Sequence, residues 1–377
     1  LIRRQRQMCI RDRLMVTVFV ITGTTFQMLA GALSESVING KQKLYISYYP
    51  YSYNFSGSGL GTSIYGQFVK INVGSANGEY AYCMDAEADS GTTGTSIFTA
   101  EDFNSSDWVK RNCTSNQIKL MKYAAIYTIK NASETKYGYS NEVENIASQI
   151  INWTILHNWF NTSSESSVLN VYTANMPSSV ASNVKACYNK IKEQILSHKT
   201  IPSFAVGKGQ TPTPKKMTTN ADGTFSITLT DNKNCSSYFD WAKALNTLNN
   251  SKYKNYLSIT TNSAGKLVIK STKPIPKSDK FKLTAKKTKS KYQNELDTAS
   301  LVALIVDESQ LSGQNAVGYT NTDNDPVTAS ISLYTDTIGT AQIKKVWQHN
   351  NDTSSTKADN SDIYFTIKNS SGSAVKA

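Results

Sequence analysis

Apolar positions along the chain follow two rhythms, and the change between them divides the sequence. Between residues 40 and 84 they alternate. Leu44-Tyr45-Ile46-Ser47-Tyr48-Tyr49 predicts a strand that Pro50 and Ser56-Gly57-Ser58-Gly59 break into loop. Tyr65 to Val73 and Glu79 to Met84 predict two more strands around the turn signal Ala76-Asn77-Gly78. From residue 115 the period lengthens to that of a helix. Ser115 to Ile129 carries Ile118, Met121 and Ala125. A second helix opens at Asn141, read as the N-cap, with Glu144 placed to close a capping box. Its stripe is Ile146, Ile150 and Trp153, joined by Ala147, Ile151 and Ile155. A third begins near Pro177, a favourable first helical residue, and runs through Val180, Val184, Cys187, Ile191 and Ile195.

Beyond residue 219 alternation returns in short pieces: Thr224 to Leu229, Leu257 to Thr260, Lys266 to Lys270, Phe281 to Thr284, Leu301 to Val306 and Ser330 to Tyr334. Asp240 to Leu248 reads as a short inserted helix. Val206 to Thr219, with Gly-Lys-Gly-Gln-Thr-Pro-Thr-Pro, reads as a linker. The expected architecture is multidomain: an α+β head of sheet or barrel plus helices over 33–205, a linker over 206–219, an antiparallel β-sandwich over 220–336, and an incomplete further domain over 337–377. Residues 1–32 start with Arg3, Arg4, Arg6, Arg11 and Arg13 and continue in the apolar run Leu14 to Ala32. They end in Ala30-Gly31-Ala32, the pattern of a signal peptide. A membrane anchor is the alternative, and Thr22, Gly23, Thr24, Thr25 and Gln27 interrupt the run against it. Gln5 to Arg13 also resembles translated sequencing adapter, which would move the start to Met15 and leave Cys9 without meaning.

Charge alters this picture little. The net charge of +12 includes +4 from residues 1–32, and ten lysines lie between Lys266 and Lys291. Without interleaved aromatics or a binding motif this run reads as a solvated face, with an acidic surface or cell-wall polymer as the other reading, and not as a nucleic-acid site. The five cysteines, Cys9, Cys83, Cys113, Cys187 and Cys235, show neither a CxxC nor metal-ligand spacing. Cys187 lies on an apolar stripe and reads as a buried thiol, and a Cys113–Cys187 disulfide is left open.

The candidate chemistry lies in two side chains 66 residues apart. Cys83 ends a strand, flanked by Tyr82 and Met84. Gln149 lies at the edge of the second helix's apolar stripe, before Ile150-Ile151-Asn152-Trp153. The plain readings are an inert core thiol and a solvated glutamine. A buried amide, however, needs partners, and a covalent bond to sulfur is one way to meet that need.

Several short motifs in order carry a resemblance: Tyr82-Cys83-Met84-Asp85, Tyr123-Ala124-Ala125-Ile126-Tyr127, Tyr137-Gly138-Tyr139 and Ala147-Ser148-Gln149-Ile150-Ile151-Asn152-Trp153. Together they resemble the thioester domain of Gram-positive surface adhesins, over roughly residues 41–200. In that family the cysteine follows an aromatic, and the glutamine sits in a Thr-Gln-x-Ala-Ile-Trp-like helix. Here Ser148 stands for the threonine, Ile151 for the small residue, and Asn152 precedes the tryptophan. The resemblance implies an internal thioester between Cys83 and Gln149, formed with loss of ammonia, that an amine such as a partner's lysine can open to give an amide. Tyr82, Met84, Tyr139 and Trp153 are expected as walls that exclude water, with Asp85 as an orienting group. The reaction consumes the site once, so this is not a turning-over enzyme, and it needs no cofactor and no metal. The implied partner is a host-surface protein with accessible lysines. The implied location is the bacterial cell surface, with cell-wall or pilus anchoring through a C-terminal part absent here. Ser312-Gly313-Gln314 through Asp325-Pro326-Val327 resembles the module that follows such a head. Lys345-Val346-Trp347 with Ile363 to Ile367 resembles the start of a collagen-adhesin B-type repeat, in which Lys345 would form an isopeptide bond. Two other classes stay open: a noncovalent binding module, and a cysteine hydrolase or transglutaminase-like enzyme using His157 or His198 as base.

Overall fold

The computed structural model describes residues 41–62, 64–84, 94–103, 106–248, 251–261, 265–294, 296, 299–306, 315–321 and 327–336. The signal peptide, Asp85, Lys345 and the domain expected over 337–377 lie outside them. The chain divides into two units at Asp336/Thr337, and everything below concerns the first.

Its content is mixed α/β with several sheets. Four strands come first: β1 (Lys41–Asn54), β2 (Tyr65–Val73), β3 (Glu79–Cys83) and β4 (Gly94–Asp102). β1 runs straight through Pro50, where a strand end was expected. The register shifts between Tyr48 and Ser52 instead, because a bulge accommodates the missing N–H. The β2–β3 turn needs glycine at 78, where a Cβ would stand 1.9 Å from the Val73 carbonyl oxygen. Five helices follow: α1 (Asp107–Asn112), α2 (Ser115–Tyr127), α3 (Asn141–Leu156), α4 (Glu165–Thr173) and α5 (Ser178–Ser197). α1 and α4 were not expected. α2 holds the capping box, between Thr114 and Gln117. α3 starts one residue earlier than read: Ser140 is its N-cap, accepting from the Val143 N–H at 3.3 Å. Glu144 does not face back to that cap. It is fully buried and accepts the backbone N–H groups of Lys136 (2.7 Å), Tyr137 (2.8 Å) and Tyr139 (3.1 Å), fixing the preceding loop.

The remaining elements are β5 (Pro214–Lys216), β6 (Thr218–Thr219), β7 (Phe225–Thr230), α6 (Trp241–Asn246), α7 (Ser251–Lys254), β8 (Leu257–Thr261), β9 (Lys266–Ser271), β10 (Lys282–Lys286), β11 (Ala299–Val306), β12 (Ala316–Asn321) and β13 (Thr328–Tyr334). Their pairings redraw the expected boundaries. β11 pairs with β4, and β12 pairs with both β11 and β3, so the head sheet closes as a barrel in the order β1-β2-β3-β12-β11-β4. The head is therefore discontinuous in sequence, and residues 206–289 are inserted into it. The expected linker is partly sheet: β5 pairs with β13 and β6 with β7. The insertion has a sheet β10-β13-β5 and a sheet β6-β7-β9-β8 around one core. It is not wholly antiparallel, because β5 runs parallel to β13. Parallel neighbours need a long connection, and more than a hundred residues separate these two strands.

Each part has its own apolar core. The head's core gathers strand residues such as Leu44, Phe68 and Ile71 with Ile146, Ile150, Val184 and Ile191 from the helices, and it includes Ala316 and Val317 of β12. The insertion's core centres on Phe225, Trp241, Ile269, Leu283 and Ile331. α3 lies deepest. It packs on α5, α2, α4 and β3, and every residue from Val143 to Ile155 is buried.

Candidate functional site

A helix buried on all faces must find partners for its polar side chains, and α3 does so for most of them, with Asn152 Oδ1 and the Trp153 indole N–H as the exceptions. Ser148 Oγ donates to the Glu144 carbonyl (2.6 Å) and Asn152 Nδ2 to the Ser148 carbonyl (2.9 Å). Gln149 reaches off the helix. Its Oε1 accepts the backbone N–H of Cys83 at 2.8 Å, and its Nε2 donates to the Cys83 carbonyl at 2.9 Å. Cys83 is fully buried and Gln149 is 1 % exposed.

This two-point exchange has the form of an antiparallel strand pair, in which two residues trade both N–H···O bonds. Its position explains it. The β2–β3 register runs only as far as Ile71 opposite Ala81, two residues short of Cys83. On the other edge, β12 takes Cys83 opposite Ala316 and Tyr82 opposite Val317, and the Met84 N–H reaches the Asn315 carbonyl at 2.7 Å. The main chain of Cys83 thus lies between a returning strand and the amide of Gln149.

Alternation turns Tyr80 and Tyr82 to the side of β3 opposite Ala81 and Cys83. The Tyr82 hydroxyl donates to the Ile129 carbonyl (2.5 Å) and the Tyr80 hydroxyl to Asn141 Oδ1 (2.5 Å), so both tyrosines tie the strand to the segment before α3 and to its first residue. Burial raises the Tyr80 pKa to about 12, and the bond to Asn141 offsets part of that. Met84 is buried. Trp153 lies one turn along α3 from Gln149, on the same face. Its indole stacks on Tyr172 (5.4 Å, 18°) and meets Tyr53 (5.2 Å) and Phe68 (5.7 Å). Tyr139 belongs to another cluster: its N–H is held by Glu144, and Lys190 Nζ lies 4.5 Å from its ring centroid.

Sequence reasoning missed Tyr53, Phe68 and Tyr172. The pKa of Tyr53 is raised, first by burial and then by the charge of a Cys83 thiolate. That of Tyr172 is raised by burial, then by Tyr53, Cys83 and Tyr188. The strand pattern Tyr51-Ser52-Tyr53-Asn54-Phe55 could have flagged the first, and Val168, Leu169 and Tyr172 at helical spacing the last.

Chemically, the arrangement presents a thiol-bearing residue whose own backbone N–H already points at the oxygen of a primary amide. That N–H is the donor an oxyanion would need if sulfur attacked the amide carbon. The two histidines weighed as bases sit at helix ends. His157 caps α3 and stacks on Trp159 (4.7 Å), while His198 Nδ1 lies 2.9 Å from the Tyr127 hydroxyl. Cys113, Cys187 and Cys235 are free thiols, so the Cys113–Cys187 disulfide does not form. Burial raises the pKa of Cys113 to about 11, and burial followed by Asp231 raises that of Cys235 to about 12. Among the described residues no group of His, Cys, Asp and Glu could hold a metal ion, and no helix is long and apolar enough to cross a membrane.

No family model matches the chain, and no curated protein matches it. Among solved structures it is similar to the Bacillus anthracis TIE protein, at 13% identity and a TM-score of 0.33, over 80% of this chain and 50% of that one. The chain spans half the length of that structure. A likeness of this size carries no argument, and the reading of the site rests on its own geometry.

Proposed function

We propose that residues 41–205 with β11 and β12 form the head of a surface adhesin that stores an acyl group as a Cys83–Gln149 thioester and transfers it to an amine on a partner protein. The observation that carries this reading is the docking of the Gln149 amide on the main chain of Cys83, between two residues 66 positions apart. Proximity is the first requirement for a primary amide, a poor electrophile, to react with a thiol. In the forming step the S–C bond is made, the C–N bond of Gln149 breaks, and the thiol proton leaves with the nitrogen as ammonia. In the capture step the amine nitrogen bonds to the Gln149 carbonyl carbon, the S–C bond breaks, and a proton from the nitrogen passes to the departing sulfur. The Cys83 N–H holds the oxygen through both. The burial of Cys83 and Gln149 themselves, with Trp153 one turn along α3, keeps out the water that would hydrolyse the link.

One observation favours a second reading. The same two hydrogen bonds give both the oxygen and the nitrogen of the amide a partner, so Gln149 can also serve as a plain lock between α3 and β3 in a noncovalent binding module. Incubation with methylamine separates the two. The covalent reading expects methylamide at Gln149, located by peptide mapping, with one newly titratable thiol at Cys83. An unmodified Gln149 favours the lock.

The wider setting follows from this reading: export to the bacterial surface, a host protein's lysine as the amine, and a stalk beyond the head that leads to cell-wall or pilus anchoring.

A further inference from the structure

The main chain of Cys83 holds both ends of the Gln149 amide, and the nitrogen end has a consequence of its own. Nε2 donates to the Cys83 carbonyl oxygen at 2.9 Å, beside the bond at 2.8 Å that fixes the amide oxygen. α3 is pinned to the barrel at four-residue steps. Asn141 accepts from Tyr80 of β3 (2.5 Å), Asn145 accepts from Tyr49 of β1 (3.2 Å), and the Trp153 ring meets Tyr53 of β1 (5.2 Å). Gln149 stands in the middle of that row, so its nitrogen is placed as firmly as its oxygen. The nitrogen that leaves and the nitrogen that enters share this one position. Opening by ammonia is the forming step run backwards, so ammonia arrives where Nε2 departs. An alkyl amine follows the same path with carbon in place of one hydrogen.

We propose that the main-chain carbonyl of Cys83 is the nitrogen subsite of the reaction: it accepts an N–H of the entering amine, as it accepts one from Nε2, and so restricts capture to primary amines. This inference rests on the covalent reading above. When nitrogen bonds to the Gln149 carbonyl carbon and the S–C bond breaks, one amine proton passes to sulfur. A second N–H bonds to the Cys83 carbonyl and stays on nitrogen in the amide product. The positive charge that nitrogen gains during attack strengthens that bond. A primary amine has both hydrogens. A secondary amine has one, which sulfur takes. An alkyl group then faces the carbonyl oxygen of a fully buried residue, and an acceptor is left without its donor. An alcohol, with one O–H, fails on the same count, so the site takes lysine and passes over serine and threonine.

The test uses the whole chain with ethylamine, dimethylamine and isopropylamine. The first two are isomers, so size does not separate them, and the third is bulkier and still primary. Opening is followed by intact mass, and each rate is divided by the rate of the same amine on a simple alkyl thioester in solution. On that scale dimethylamine should open the protein about 100-fold more slowly than ethylamine, while isopropylamine stays within about 10-fold of ethylamine. Dimethylamine within about 10-fold of ethylamine overturns the proposal. So does isopropylamine slowed as much as dimethylamine, which would make the site narrow and nothing more. In both cases the covalent reading stands, because the protein was opened. A starting protein at its full sequence mass carries no thioester, and there it is the covalent reading that fails.

Discussion

The head and the insertion share one compact unit and differ in what they bury and what they show. The insertion, residues 206–289 with 327–336, carries 16 lysines against 5 acids, while the rest of the span 41–326 carries 14 bases against 18 acids. The chain's positive charge is thus concentrated in one part and belongs to the solvated face of a small sheet domain. The head is the reverse. Its distinctive groups are inside, on α3, where Glu144, Asn145, Ser148, Gln149, Asn152 and Thr154 are all buried among apolar neighbours. The insertion's core is mostly Phe, Ile and Leu, which need only volume, and its buried carboxylate, Asp231, is spent on a loop, accepting the N–H groups of Ser203, Lys233, Cys235 and Ser236. On α3 the Glu144 carboxylate holds the preceding loop and the Gln149 amide holds the Cys83 main chain, which seats that amide on a chosen residue of β3. Surface charge in this molecule tells little about chemistry, and buried polarity tells a good deal.

The sharpest way to break that comparison is to cut between the two parts where the sequence invites it. A chain ended at residue 205 loses β11 and β12 and leaves β3 and β4 unpaired on one side. It should fail to melt cooperatively and should aggregate through those edges, while a chain ended at 336 melts as a folded protein. A cooperative melt for the 205-residue form would mean that the barrel does not need the returning strands. Next in size is Glu144→Ala. It strips the three N–H groups of Lys136, Tyr137 and Tyr139 of their acceptor and should cost about 3 kcal/mol or more, read by denaturant melts, with a slower thioester step because α3 loses its anchor.

The smallest effect concerns the junction of the two parts. Lys287, from the insertion, is buried and donates Nζ to the carbonyls of Ser197 and His198 at the end of α5 (3.1 and 2.9 Å). Burial lowers its pKa from 10.5 to about 8. Between those values the unfolded chain holds the proton more often than the folded one, so folding stability from this group rises with pH. Below pH 8 the folded state bears the full burial cost. The stability difference between wild type and Lys287→Met should therefore move in favour of wild type from pH 8 to 10.5. A flat difference would mean that the ammonium is well hydrated.

Much of the head was legible in the sequence. The stripe Ile146, Ile150, Trp153 located α3, and the apolar run after Gln149 marked its amide as buried, which it is. The strands named beyond residue 219 all form. What could not be read was which strands belong together. Leu301 to Val306 looks the same whether it ends a stalk domain or closes the head barrel, because periodicity fixes a strand's faces and not its neighbours. Glu144 was misread for a similar reason: the spacing Asn141 to Glu144 fits a capping box, but a loop with three free N–H groups competed for the carboxylate and won. Tyr172 was hidden because a tyrosine on a short helix is ordinarily a packing residue, and only the fold stacks it on Trp153, one turn from Gln149.

The account stands on one covalent bond, and the intact mass of the purified, folded chain tests it most directly. The account predicts a wild-type mass lower than the sequence requires by one ammonia, restored to the full sequence mass in Cys83→Ser and in Gln149→Ala. A folded wild-type protein at its full sequence mass would contradict it.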